Sequence, residues 1–136
     1  MPLKLSLKPA EVVIVNGAVI RNGERRGVML LENQARILRE KDIMMPEQAT
    51  TPAKRAYFAI MQLYLTGDLS GPAYDRAARA LSELLGVVTD QEDRESIVDV
   101  SADLTAGMVY RGLGRCKKLI KRIDSSDMLS STAEAS

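Results

Sequence analysis

The chain has 136 residues with 19 Lys+Arg against 18 Asp+Glu, no histidine and a single cysteine, Cys116. That length holds one domain or two small subdomains sharing a core, and 46% hydrophobic with 27% charged residues is the balance of a soluble globular protein. Without histidine there is no Ser-His-Asp or Cys-His catalytic unit and no common zinc site, no glycine-rich nucleotide loop is present, and Cys116 has no internal disulfide partner; a non-catalytic, cofactor-free and metal-free protein of the reducing cytoplasm is expected.

The opening "MPLKLSLKP" lacks the apolar run and small-residue cleavage site of a signal peptide, and no stretch approaches the roughly 20 apolar residues of a membrane span. It alternates instead: Leu3, Leu5 and Leu7 fall on one face, Lys4, Ser6 and Lys8 on the other, which predicts a first strand. Val12 to Val15 is β-branched on both faces, as in a strand covered on two sides. Asn16-Gly17 is a two-residue hairpin signal because both residues accept positive φ. "AVIR" predicts a third strand, Asn22-Gly23 a second turn, "GVMLLE" a fourth strand ended by Asn33, and "ARILR" a fifth. Five short strands with tight turns predict a small antiparallel sheet or open barrel over residues 1–45.

From residue 50 the period changes. Thr51 is placed as an N-cap, Pro52 as the first helical residue and Gly67 as a stop, with "AYFAIMQLYL" between them apolar nearly all round. A second helix carries Tyr74, Ala77, Leu81, Leu84 and Val88 on one face. A third opens on a Thr89/Glu92 capping box and bears the stripe Ile97, Val100, Leu104 and Met108. After glycines at 107, 112 and 114, the apolar row resumes at Val109, Leu113, Cys116, Ile120 and Ile123, while Arg111, Arg115, Lys118 and Arg122 form a basic row. A helical bundle is therefore expected over 50–123, and the small, polar, aperiodic end over 124–136 is expected to be disordered. The fold class is α+β.

Charge is unevenly spread. Residues 21–41 and 111–122 are basic, and residues 90–103 carry Asp90, Glu92, Asp93, Glu95, Asp99 and Asp103 against Arg94 alone. A basic helical row has two readings: it follows a polyanion backbone, or it is a solvated face; a third sets it against the acidic block of a neighbouring chain. All four tyrosines and Phe58 lie in the helical part, so the sheet has no aromatic on which to stack bases. Any nucleic-acid contact by the sheet must use arginine planes, lysine charge and backbone groups. Because about 45 residues bury little core alone, the sheet must lean on the helices or on a second chain.

The blocks "MPLKLSLKP", "NGAVIRNG", "LLEN", "ILREKDIM" and "TTPAKRAYF" resemble FlbT, the flagellum biosynthesis repressor family, with similarity running from Met1 to about Ile123. The resemblance implies a post-transcriptional repressor of flagellin expression, associated with the 5′ untranslated region of flagellin mRNA and with its degradation, and a working relationship with FlaF and with flagellin. The N-terminal part also resembles the small dimeric RNA-binding regulator CsrA. Its first strand carries Lys4 and Lys8, Glu11 precedes the second, and its fifth ends in Arg39-Glu40 with Ile43 three residues on. In CsrA-like dimers the first and fifth strands meet across the subunit boundary to form the RNA site. That implies a homodimer with Lys4, Ser6, Lys8, Arg36, Leu38, Arg39 and Glu40 as RNA-binding residues, and Arg21, Arg25, Arg26, Arg111, Arg115, Lys118 and Arg122 as an extended basic surface. Where CsrA-like chains have adjacent arginines late in the first strand, this chain has Leu7-Lys8 and then Pro9, so only a lysine point charge stands there.

The expectation is a CsrA-like five-stranded sheet or barrel followed by a helical bundle, binding a flagellin leader RNA with no DNA or membrane partner. The rival is a protein-binding module whose sheet only dimerises and whose helices hold flagellin or FlaF.

Overall fold

The computed structural model describes residues 2–135, with side chains over 2–125; the stretch expected to be disordered over 124–136 falls in the last helix as far as residue 135. The chain divides into two compact units. One comprises Met1–Ile43 with Leu65–Gly67, the other Met44–Tyr64 with Asp68–Ser136.

The first unit holds the five strands: β1 (Leu3–Leu7), β2 (Val12–Val15), β3 (Ala18–Arg21), β4 (Gly27–Leu31) and β5 (Ile37–Arg39). They do not make one five-stranded sheet or barrel. β1 pairs antiparallel with β4 in a two-stranded sheet, and β3, β2 and β5 form a three-stranded antiparallel sheet in that order. The first expected hairpin turn forms: Asn16 at φ 50° and Gly17 at φ 85° join β2 to β3. The second does not, because neither Asn22 nor Gly23 adopts positive φ, and the chain leaves the three-stranded sheet there to pair β4 with β1. The alternation of β1 does what it implies. Leu5 and Leu7 are buried opposite Met29 and Gly27, whereas Lys4 and Ser6 are exposed opposite Leu30 and Val28.

The second unit carries α1 (Pro52–Thr66), α2 (Pro72–Val87), α3 (Gln91–Thr105) and α4 (Val109–Ala135). Thr51 caps α1 by accepting the Lys54 N–H at 3.2 Å. The N-cap of α3 is Asp90, which accepts the Asp93 N–H at 3.0 Å, and not the expected Thr89. Buried Ala56, Ile60 and Leu63 of α1, Leu81 and Leu84 of α2, Ile97, Val100 and Leu104 of α3 and Leu113, Cys116 and Leu119 of α4 form the core. Met108, expected in the α3 stripe, is exposed; Gly107 at φ 78° ends the helix and turns it out. Arg94 folds back on the preceding helix, donating from Nη1 to the Leu85 and Val88 carbonyls at 2.7 and 2.8 Å, which satisfies orphan acceptors at the end of α2. No described helix is long and apolar enough to cross a membrane.

Candidate nucleic-acid interface

The site grows from the β1–β2 turn. Pro9 offers no N–H, and Ala10 takes φ 59°, so the chain reverses within Lys8–Glu11 with the Glu11 N–H on the Lys8 carbonyl at 3.1 Å. This places the Glu11 carboxylate back over its own turn, where Oε1 accepts the Lys8 N–H at 2.9 Å. The loop between β3 and β4 is tied to the same turn. Asn22 donates through Nδ2 to the carbonyls of Leu7, Lys8 and Arg25, the Ala10 N–H reaches the Gly23 carbonyl, and Arg21 Nη1 reaches the Ala10 carbonyl at 3.1 Å. Lys8, Arg21 and Arg25 are exposed on this clamped pair of loops.

Arg39 arrives from the end of β5. Its Nη2 donates to the Ser6 carbonyl at 2.6 Å and to Glu11 Oε2 at 3.0 Å. The arginine side chain is 33% exposed and the glutamate 11%. The Lys8 N–H, followed by the Arg39 guanidinium, holds the Glu11 carboxyl below its ordinary range. Arg39 thus bridges the two sheets of the unit, and the strand-one residue it reaches belongs to its own chain.

The expected residues separate into groups. The Lys8 backbone N–H and the Arg39 guanidinium meet at Glu11, with Arg21 at the end of β3 and Arg25 on the adjoining loop; Arg26 is exposed one residue further on. Lys4 and Ser6 project from the outer face of β1, between the exposed apolar side chains of Val28 (56%) and Leu30 (58%). Glu40 is exposed at the start of a 3-10 turn, Glu40–Asp42. Leu38 must be corrected: it is fully buried, opposite Ile14 in the β2–β5 ladder, so it packs the core and touches no outside ligand. Arg36 is engaged elsewhere. Its guanidinium lies against Gly67, where a Cβ would stand 2.9 Å from Cζ, and its Nε is buried without a hydrogen bond.

The basic row of α4 faces acids of its own chain. Arg111 and Arg115 approach Asp103 at 3.7 and 2.7 Å, Arg115 also approaches Asp99 at 3.6 Å, and Arg122 meets Asp93 and Glu92 at 3.0 and 3.1 Å. Ascending along α4, the partners descend along α3, so the helices run antiparallel. The acidic block expected to face a neighbour is used in cis. These guanidiniums, with exposed Lys118, line a cleft of about 530 Å³ with Ser96 and Gly114. A second, more apolar groove of about 680 Å³ lies between α2 and α3, with Ala78, Leu81, Ser82, Val98, Ser101 and Ala102 in its walls.

Sequence reasoning used Glu11 only as part of a resemblance and read Asn22 only as a turn residue. The signal for Glu11 was available in its spacing: an acid three residues after Lys8, at the start of a strand, is placed to cap its own turn.

A regulator-sized chain with a clamped basic turn cluster and an ion-laced helical unit belongs among flagellar proteins on comparison. The model of the family described as flagellar protein FlbT matches residues 3–125. The flagellum biosynthesis repressor protein FlbT of Caulobacter vibrioides is 45% identical over 124 residues, covering 91% of this chain and 88% of the relative. FlbT proteins of Caulobacter sp. and Rhodopseudomonas palustris are 45% and 39% identical, covering 91% and 90% of this chain and 95% and 94% of theirs. No solved structure matches. The chain belongs to the FlbT family.

Proposed function

We propose that this chain represses flagellar synthesis after transcription, by holding the 5′ untranslated leader of flagellin mRNA on the clamped turn cluster of its sheet unit and exposing the message to degradation. The repressor role is the one carried by the name of the Caulobacter vibrioides relative. The observation that carries the RNA reading is that the Arg21 and Arg39 guanidiniums are anchored on the turn of Lys8–Glu11, with exposed Lys8 and Arg25 on backbone tied by Asn22 and Glu11. Guanidiniums held in this way bind phosphates at low ordering cost. Glu40 beside Arg39 offers an acceptor to a base amino group, and Lys4 and Ser6, on the outer face of the β1–β4 sheet, join the path only where that face stays open at its rim. The exposed Val28 and Leu30 beside Lys4 support association with a second copy through the outer face of the β1–β4 sheet, because a two-stranded sheet is marginal without cover.

A salt series of gel shifts with a flagellin leader RNA tests the reading. Binding driven by phosphates weakens steeply as salt rises. Arg21→Ala and Lys8→Ala are each expected to weaken it and to reduce the salt slope by about one phosphate. Absence of a shift at low salt sinks the reading.

The second reading is a protein-binding module, favoured by the small-residue groove between α2 and α3, which has the apolar walls that a helix of FlaF or flagellin needs. Ala102→Arg would fill that groove. Loss of repression in this variant with unchanged RNA binding favours the second reading.

A further inference from the structure

We propose that Glu11 is an internal competitor for Arg39: its carboxylate occupies the edge of the guanidinium that an RNA phosphate needs, and the phosphate must displace it to bind. This rests on the RNA reading above. Carboxylate and phosphate oxygens are interchangeable acceptors for an arginine fork, so both cannot hold the same Nη2 at full strength. Glu11 Oε2 stands 3.0 Å from Arg39 Nη2, and the Ser6 carbonyl, 2.6 Å away, shares that nitrogen.

Three features make this a latch rather than a passive ion pair. The carboxylate has its own anchor, since Oε1 accepts the Lys8 N–H at 2.9 Å, so it stays in place when Arg39 leaves and recaptures it afterwards. The exposure is unequal: Arg39, 33% exposed, is reachable from solvent, while Glu11, 11% exposed, is largely covered. The neighbouring Arg21 is held by a carbonyl, that of Ala10, and keeps its full charge for a phosphate. An RNA is first gathered by Lys8, Arg21 and Arg25, and only a backbone that also delivers a phosphate to Arg39 opens the latch. Glu11 therefore lowers affinity for polyanions in general and favours those with the right path.

The test uses the full-length protein and a labelled flagellin leader RNA. Glu11→Gln keeps a carbonyl for the Lys8 N–H but offers Arg39 no anion. E11Q is expected to bind about two- to fivefold more tightly than wild type, the scale of a partly exposed ion pair, and Arg39→Ala in the E11Q background is expected to abolish that gain. Binding by wild type without gain in E11Q overturns the latch and leaves the RNA reading standing. Binding by E11Q alone, with none by wild type at low salt, overturns the RNA reading of the native chain and the latch with it. No binding by either protein at low salt overturns both. A second measurement needs no substitution: on adding RNA to wild type, the Arg39 Nε–H resonance is expected to shift while the Lys8 amide, still on Glu11, stays. An unmoved Arg39 resonance with RNA bound also overturns the proposal.

Discussion

At the residue scale, two groups give pH and reactivity predictions of definite sign. Folding strengthens the acidity of Glu11, chiefly through the Lys8 N–H and then Arg39. Such a group adds stability above its unfolded pKa and loses it as pH falls through the folded value. The contribution is therefore complete above the ordinary value of 4.5 and fades below it. Melting temperatures of wild type and E11Q are expected to differ most near neutrality and to converge as pH falls below the ordinary glutamate value. Cys116 behaves oppositely. Fully buried on α4, its thiol is pushed up to about 12. Iodoacetamide at mildly alkaline pH is expected to leave the native protein unmodified and to label it fully in denaturant, because only the thiolate reacts.

At the element scale, the closest helix contact is between α3 and α4. Gly112 is buried there, and a Cβ would lie 3.2 Å from Leu104 Cδ2 and 3.6 Å from the Val100 carbonyl. Gly112→Val is expected to cost about 1–3 kcal/mol by overpacking. Gly114, two residues on, meets nothing within 4 Å, so Gly114→Ala is expected to gain about 0.5–1 kcal/mol from helix propensity. Asp103, 8% exposed between Arg111 and Arg115, is the member of the ion row whose loss leaves cations unmatched. Asp103→Ala is expected to cost about 1–3 kcal/mol in a urea melt.

These elements also show what the sequence carried. Alternation and β-branching placed all five strands, and Thr51, Pro52 and Gly67 bounded the first helix. What alternation encodes is which face a residue takes, not which strand it pairs with, so it could not tell a meander from β1–β4 plus β3-β2-β5. The same period could have excluded Leu38 from the site: it must point away from its neighbour Arg39, and it does, into the core. The basic row of α4 and the acidic block of α3 were both legible. Their meeting within one chain was not, because it depends on how the turn at Gly107 lays one helix on the other. Arg39 could be singled out from its place at the end of β5, but its partners, Ser6 and Glu11, come from a strand and a turn about 30 residues away.

At the scale of the whole molecule, near-neutral net charge conceals two kinds of cation. Arg111, Arg115 and Arg122 of α4 are matched by acids of α3, whereas Arg21 holds a carbonyl and Arg39 a carbonyl and a single carboxylate. Replacing Arg111, Arg115 and Arg122 together by Gln is expected to lower the melting temperature while leaving the salt slope of RNA binding unchanged. A reduced slope would return α4 to the RNA path.

The strand pairing has a further consequence in time. β2 finds β3 across a two-residue turn, whereas β1 pairs with β4 across the whole intervening β2–β3 segment, Leu3 opposite Leu31. Closing that larger loop is entropically slower than closing a hairpin. In pulsed hydrogen exchange during refolding, the β2–β3 amides are expected to gain protection before those of β1. The residues of β1 are thus expected to be among the last of their unit to settle, and the carbonyl that receives Arg39 arrives with them.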